Sequence, residues 1–172
     1  MHAQLPSAVT PGQRERQSLR AKQVLGWGLV LFAALQALWL VRRFGVNVVI
    51  WDEWAWVRRL WSPDLWSSDL WAQHNEHRIP VGGLVILALY RATGVDTRAG
   101  MYGSWVCIAI MAIVVFVRFR RVHPAAGAIA FAPVAILLFT LRQYENLLWG
   151  FQLTVTLSAL FVVVALAPMP IT

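Results

Sequence analysis

Apolar residues are concentrated in a few long runs that alternate with polar stretches along the chain. Four of these runs have roughly 17 residues each and would reach roughly 26 Å as helices, which is close to the thickness of the hydrocarbon core of a membrane. The pattern therefore predicts an all-α integral membrane protein with about four transmembrane helices. The predicted spans are residues 24–41, 100–117, 125–141 and 151–167.

A fifth apolar run, residues 79–92, is shorter and has two interpretations. Runs of about 10–14 residues more often lie in the interface or re-enter the membrane than cross it. This run also begins with Pro80, Gly82 and Gly83, which are poor helix formers. If it crossed the membrane, every downstream segment would change sides. We favour an interfacial helix, which makes residues 42–99 one outer loop.

The composition supports a membrane protein and indicates its orientation. Hydrophobic residues make up 59% of the chain and charged residues only 13%, whereas soluble domains carry about 25% charged residues. Basic residues cluster in segments 1–23 and 118–121, and such clusters beside apolar segments mark the cytoplasmic side. The sequence thus predicts a multi-pass protein of the cell (inner) membrane with a cytoplasmic N-terminus. No nucleic-acid partner is expected.

The same pattern divides the chain into two parts. Residues 1–23 are polar, contain Pro6 and Pro11, and are predicted to form a disordered basic cytoplasmic tail. Residues 24–168 are predicted to form one membrane domain, and the chain is expected to continue beyond residue 172.

Tryptophans recur every five residues in the first outer loop. Indole rings prefer the boundary between membrane and water, and the neighbouring Ser62 and Pro63 favour a break between two helices. Interfacial helices are therefore predicted at about 52–61 and 63–74, in addition to 79–92. Their predicted membrane anchors are Trp51, Trp54, Trp56, Trp61, Trp66 and Trp71.

Two acidic residues, Asp52 and Glu53, follow the first span closely. A carboxylate near hydrocarbon is costly unless it is paired or lines a wet cavity. One interpretation is an ion pair with Arg42, Arg43 or Arg58. The other is a role as general base or metal ligand, which makes both acids candidate catalytic residues.

A histidine-rich segment, HNEHR at residues 74–78, lies further along the same loop. On a helix His74 and His77 would share one face, and two imidazoles together with Glu76 can hold a divalent metal. A hydrogen-bonded loop is a second interpretation. A third is binding of a phosphate headgroup by His74, His77 and Arg78, because arginine forms paired hydrogen bonds to phosphate.

The second outer loop, residues 142–150, lies between two predicted spans and carries Arg142 and Glu145. A glutamate so close to the bilayer needs a partner or a function. An Arg142–Glu145 pair is one interpretation. The other is a pocket shared with the first loop, in which Glu145 is a third catalytic candidate and Arg142 a further phosphate-binding candidate.

The order of these features resembles the polytopic membrane glycosyltransferases of the GT-C type, such as the bacterial relatives of protein mannosyltransferases and of aminoarabinose transferase. In those proteins a basic cytoplasmic end and one span precede an acidic motif, which corresponds here to WDEW at 51–54. Interfacial helices then lead to a proline-containing stretch, which corresponds to HRIP at 77–80. HNEHR replaces the usual Pro-Pro-Leu, and ENLLWGFQ at 145–152 departs from the general pattern.

The resemblance covers about residues 20–160 and implies the N-terminal portion of a glycosyltransferase. Such an enzyme moves a sugar from a polyprenyl-phosphate donor, held among membrane lipids, to an acceptor on the outer face. Asp52 would be the catalytic base and Glu145 the second acid. Cations of the two loops would stabilise the leaving phosphate. No cofactor is certain, and a divalent metal is the one candidate.

Two other functions fit the sequence. A non-catalytic four-span protein would use its outer loop to bind lipid or a protein partner. A transporter fragment would use Asp52, Glu145 and the histidines as an ion path. Transporters place ionisable residues inside their spans, however, and the predicted spans contain none that is clearly central.

Overall fold

The computed structural model describes residues 11–74 and 78–170, and most of these are helical. A π-helical turn (Leu65–Asp69) lies between the second and third α-helices, and two 3-10 turns (Leu141–Gln143 and Gly150–Gln152) flank the sixth. The α-helices of the described chain are α1 (Pro11–Phe44), α2 (Glu53–Arg59), α3 (Pro80–Thr93), α4 (Arg98–Val122), α5 (Ala128–Leu138), α6 (Tyr144–Leu148) and α7 (Leu153–Leu166).

Three helical segments of the described chain are long and apolar enough to cross a membrane. They are Gly12–Phe44, Arg98–Val122 and Ala128–Leu148. Two further apolar helices, Pro80–Thr93 and Gly150–Leu166, are shorter. The predicted helical class of a membrane-associated protein is therefore confirmed. The count of four spans stays a prediction, because the fourth predicted span falls on one of the shorter helices.

Helix α1 begins earlier than the apolar pattern indicates. Residues 11–23, predicted to be disordered, form its first turns, whereas residues 1–10 lie outside the described part of the chain. Pro11 suits the first turn of a helix, where its missing N–H costs nothing. The polar residues that follow are mostly good helix formers. Extending the membrane helix toward its N-terminus therefore requires no new helix nucleation.

The long helices associate as two parallel pairs. At its start α5 packs against α1, since the backbone at Gly26 touches Ala128 and Ile129 and the Gln23 side chain accepts a hydrogen bond from the Ala128 N–H. Small residues at this contact, Gly26 and the buried Ala128, let the two helices approach closely. The helical segment that follows α5 also contacts α1, and its Leu147 shares a buried cluster with Val41 near the end of α1. Both helices therefore run in the same direction.

Helices α4 and α7 form the second pair and also run parallel to each other. Gly103 near the start of α4 packs against Leu153 at the start of α7, and Arg118 near the end of α4 donates a hydrogen bond to the carbonyl of Met169. Buried Ser104 and Thr156 share a hydrogen bond between the two helices.

The bundle consequently has two different ends. One end, here called the basic end, carries Arg118 and Arg120, and Arg120 reaches the Ala126 carbonyl just before α5. The other, here called the loop end, collects the segments between α1 and α4 and between α5 and α7. There Asn47 accepts a hydrogen bond from the Thr97 N–H at 2.9 Å and so closes the first loop.

Helix α3 has both of its ends at the loop end. Gly82, in its first turn, packs against Thr154 at the start of α7. Its last turn is closed by Gly94 in the left-handed conformation (φ 67°), and Arg98 begins α4 directly afterwards. A proline in the first turn and a glycine after the last are the usual signals of a helix start and stop, so Pro80 begins this helix instead of preventing it.

Candidate functional site

Glu53 is the buried centre of the loop end. Its side chain is only 1% exposed. Oε2 accepts a hydrogen bond from the Ile50 N–H at 3.0 Å, while Oε1 has no hydrogen-bond partner among the described residues. The Tyr90 side chain lies beside the carboxyl group. Burial raises the pKa of Glu53, against the opposing effect of the Ile50 hydrogen bond, and this favours the neutral carboxyl group.

A strained turn comes directly before the two neighbouring acids. Trp51 adopts a positive φ of 46°, a conformation that costs a non-glycine residue about 1–2 kcal/mol. The turn leads from extended chain into α2, so that Glu53 enters the interior and Asp52 stays at the surface. The Trp51 ring is held on the outside by an edge-on contact with Trp149, with 5.3 Å between ring centroids.

The segment after α6 covers Glu53. A Cβ atom added at Gly150 would lie 2.7 Å from Glu53 Oε1 and would collide with the Thr97 carbonyl, and one added at Gly100 would collide with the Gly150 backbone. Glycine is therefore required for the close approach of this segment to α2 and α4. The two predicted outer loops thus meet at one place in the bundle.

Asp52 faces a histidine from the far end of the first loop. His74 Nε2 lies 3.5 Å from Asp52 Oδ2, and the two side chains are 10% and 32% exposed respectively. The imidazole packs between the rings of Phe151 and Trp56, at centroid distances of 5.2 and 6.0 Å. Because Asp52 is the more exposed partner, it is the group that a ligand would meet, and His74 is placed to orient it.

Arg78 lies at a neighbouring cavity between the start of α3 and the first half of α7. This cavity has a volume of about 240 Å³ and is largely apolar. Thr154 and Ser158 are the polar residues of α7 that line it, together with Leu157 and Phe161. An exposed guanidinium beside an apolar groove suits a lipid that carries a phosphate group.

Most of the loop tryptophans are exposed, as expected for membrane anchors, but Trp56 is not. Its side chain is buried, and the Gly83 backbone packs directly against its ring. The helices also differ in extent from those predicted, because α2 ends at Arg59 and only the short turn Leu65–Asp69 represents the second. The exposed tryptophans of this loop are Trp51, Trp54, Trp61, Trp66 and Trp71.

Glu145 and Arg142 do not take part in the buried cluster. Both are exposed, and the Glu145 carboxylate accepts a hydrogen bond from the Tyr144 hydroxyl at 3.3 Å. Within the described chain they form no ion pair with each other. Glu145 lies on α6 and Arg142 in the 3-10 turn before it, where a loop was predicted.

The predicted metal site cannot be assembled from the described residues. Glu76 and His77 lie outside them, and the remaining described chain contains no group of three potential ligands. His74 has Asp52 as its neighbour instead.

Sequence reasoning missed the residues that surround the two acids. Tyr90 lies in the apolar run 79–92 and Trp149 in the second outer loop, where an aromatic residue predicts only packing or membrane anchoring. Gly150 is the exception, because a glycine between two aromatic residues indicates a place where two backbones approach closely. This glycine could have been used to predict that the second outer loop packs against the first.

The comparisons with known proteins do not place the chain in a family. No family model, no curated protein and no solved structure matches it.

Proposed function

We propose that this chain is part of a membrane glycosyltransferase that takes a sugar from a polyprenyl-phosphate donor at the loop end. The observation that supports this best is the partly exposed carboxylate of Asp52, held beside His74 in a loop with exposed tryptophans. Those tryptophans keep the carboxylate near the membrane surface, where the headgroup of a lipid-linked donor lies.

In the proposed reaction, an acceptor hydroxyl attacks the anomeric carbon of the donor sugar. The acceptor oxygen forms the new glycosidic bond, the bond between that carbon and the phosphate oxygen breaks, and the hydroxyl proton passes to Asp52. General-base catalysis of this kind contributes about 10²–10⁴-fold. The charge that develops on the leaving polyprenyl phosphate requires a cation, which Arg78 supplies at its apolar cavity.

The proposal includes a membrane topology of four crossings, by α1, α4, the α5–α6 segment and α7. The basic end then faces the cytoplasm and the loop end faces outwards, in agreement with the positive-inside rule. Because both ends of α3 lie at the loop end, α3 does not add a crossing. We propose the cell (inner) membrane as the location.

A second function is favoured by the exposed tryptophans alone. In that proposal the loop end is a non-catalytic surface that binds lipid or a protein partner, and Asp52 and His74 stabilise the loop. The two proposals differ in what happens when the Asp52 carboxylate is lost.

The decisive experiment is Asp52→Asn in the full-length protein, assayed with a panel of undecaprenyl-phosphate sugars carrying a radiolabelled hexose. We expect transfer to fall by about 10²–10⁴-fold, the usual contribution of a general base. Asp64→Asn, which changes an exposed acid of the same loop, is the matched control and should retain activity. Unchanged transfer in Asp52→Asn would exclude the catalytic role. Absence of transfer from every donor, with lipid binding retained, would favour the second function.

A further inference from the structure

A second cavity, polar in character, lies beside α2 and the π-helical turn that follows it. It has a volume of about 350 Å³ and is lined by Ala55, Arg58, Arg59, Ser62 and Asp69. Its polar character distinguishes it from the largely apolar groove beside Arg78. The function proposed above gives this cavity no role.

The Arg59 side chain lines this cavity, and one of its guanidinium nitrogens has no hydrogen-bond acceptor among the described residues. Its guanidinium lies over the Trp56 ring, 4.4 Å from the ring centroid, and this stacking fixes its plane. Nη1 is buried and lacks a hydrogen-bond partner within the part of the chain that the structure describes. A buried charged group without an acceptor is costly, and an anion in the cavity would offset that cost through its charge.

The neighbouring groups complete an anion site. Arg58 adds a second guanidinium, and the Ser62 hydroxyl oxygen accepts a hydrogen bond from the Asp64 N–H, which leaves its own O–H to donate. Asp69 also lines the cavity and its negative charge acts on Arg59. With two cations and one carboxylate, the cavity keeps a net positive charge that favours an anion.

Arginines at the end of α2 also have a simpler role, because cations near a helix C-terminus stabilise the helix dipole. That role accounts for Arg58. It does not account for Arg59, whose guanidinium is turned onto Trp56 and leaves one nitrogen buried without an acceptor.

We propose that Arg58, Arg59 and Ser62 bind a phosphate group, and that its source is the headgroup of an anionic membrane lipid. Arginine pairs recognise phosphate through several parallel hydrogen bonds. The exposed rings of Trp54 at the start of α2 and of Trp61 just after its end place the cavity at the depth of lipid headgroups. Binding here holds α2 against the membrane surface, and it does not depend on the proposed transferase activity.

The test measures lipid binding to the purified full chain in detergent, by native mass spectrometry with dioctanoyl phosphatidylglycerol as the probe. Arg59→Gln should weaken binding about tenfold or more, the value of one charge-assisted hydrogen bond. The matched control is Arg42→Gln, which removes the same charge from an exposed position near the end of α1 and should leave the affinity unchanged. Equal affinities of the wild type, Arg59→Gln and Arg42→Gln for the lipid would overturn the proposal.

A second pair of variants covers the case in which Arg59→Gln fails to fold after losing its stacking on Trp56. Arg58→Gln and Ser62→Ala change groups nearer the surface, and each should weaken binding severalfold; if neither does, the site is rejected. Inorganic phosphate then identifies the source of the anion. We expect it not to displace the lipid at equal concentration. Displacement would show that the site takes free phosphate and would overturn the assignment to a lipid headgroup.

Discussion

At the scale of single residues, the most unusual group is the buried carboxyl of Glu53, and its protonation should affect stability. Because burial raises the pKa of Glu53 above its ordinary value of 4.5, the folded protein holds this proton more tightly than the unfolded chain does. The stabilising contribution is therefore complete below pH 4.5 and is lost as the pH rises through the raised pKa. We expect Glu53→Gln, which stays neutral, to lose less stability than the wild type does as the pH rises through this range.

The measurement is the midpoint of thermal unfolding in detergent at a series of pH values. Glu145→Gln, which changes an exposed carboxylate, is the matched control and should follow the wild type. If the curve of Glu53→Gln also superimposes on that of the wild type, the side chain is charged in the folded protein and our account of its environment is wrong.

The contact between His74 and Asp52 leads to a second prediction at this scale. His74→Phe keeps an aromatic ring between Trp56 and Phe151 but removes the nitrogen that faces the carboxylate. If His74 orients Asp52, kcat should fall roughly tenfold, which corresponds to about 1.4 kcal/mol, while KM stays the same. His123→Phe at the basic end is the control. A change in KM alone, or in helix content, would show that His74 has a structural role only.

The sequence allowed a partial prediction of this site. Asp52, Glu53 and His74 could be selected because ionisable groups beside apolar segments are costly and therefore informative. Which of the two adjacent acids is buried could not be predicted, because this depends on the positive φ at Trp51 and on the covering segment at Gly150. Both features arise from contacts between parts of the chain far apart in sequence.

At the scale of helices and turns, the packing of the Gly150 segment against α4 should determine the stability of the loop end. Gly150→Ala would bring a methyl group against Glu53 and Thr97, and overpacking of this kind costs about 1–3 kcal/mol. Gly28→Ala is the control, since nothing lies within 4 Å of its added methyl. It should remain within about 1 kcal/mol of the wild type.

Chemical denaturation in mild detergent, followed by tryptophan fluorescence, measures the free energies of unfolding of Gly150→Ala and Gly28→Ala. Equal stability of the two variants would show that the segment can move away from α4 at little cost. A loss in Gly28→Ala as large as that in Gly150→Ala would show that α1 contacts a further partner at Gly28.

The apolar pattern located the helices well but not their limits. It found the region of α3 although Pro80, Gly82 and Gly83 argued against a helix, because proline is tolerated in a first turn. It missed the start of α1 and assigned α6 to a loop, since polar helical turns leave no apolar signature. The apolar pattern also could not predict that the Trp56 side chain is buried, because a five-residue spacing of tryptophans does not show which ring faces the interior.

At the scale of the whole molecule, the two ends of the bundle should lie on opposite sides of the membrane. The test uses a Cys107→Ser background, in which Ser68→Cys, Asn146→Cys or Arg120→Cys provides a single thiol. A membrane-impermeant thiol reagent on intact cells should label the first two and should reach the third only after permeabilisation. Labelling of Arg120→Cys from outside, with protection of Asn146→Cys, would mean that α3 crosses the membrane.

The parallel pairing of α1 with α5 has a consequence for the synthesis of the protein. A chain is made from its N-terminus, so α1 is complete before the ribosome has added the roughly eighty residues that precede α5. At about 5–20 residues per second, this interval lasts about 4–17 seconds. During that time the part of α1 that packs against α5, at Gly26, lacks this partner. The newly made helix must therefore be shielded by lipid or by the insertion machinery until its partner arrives.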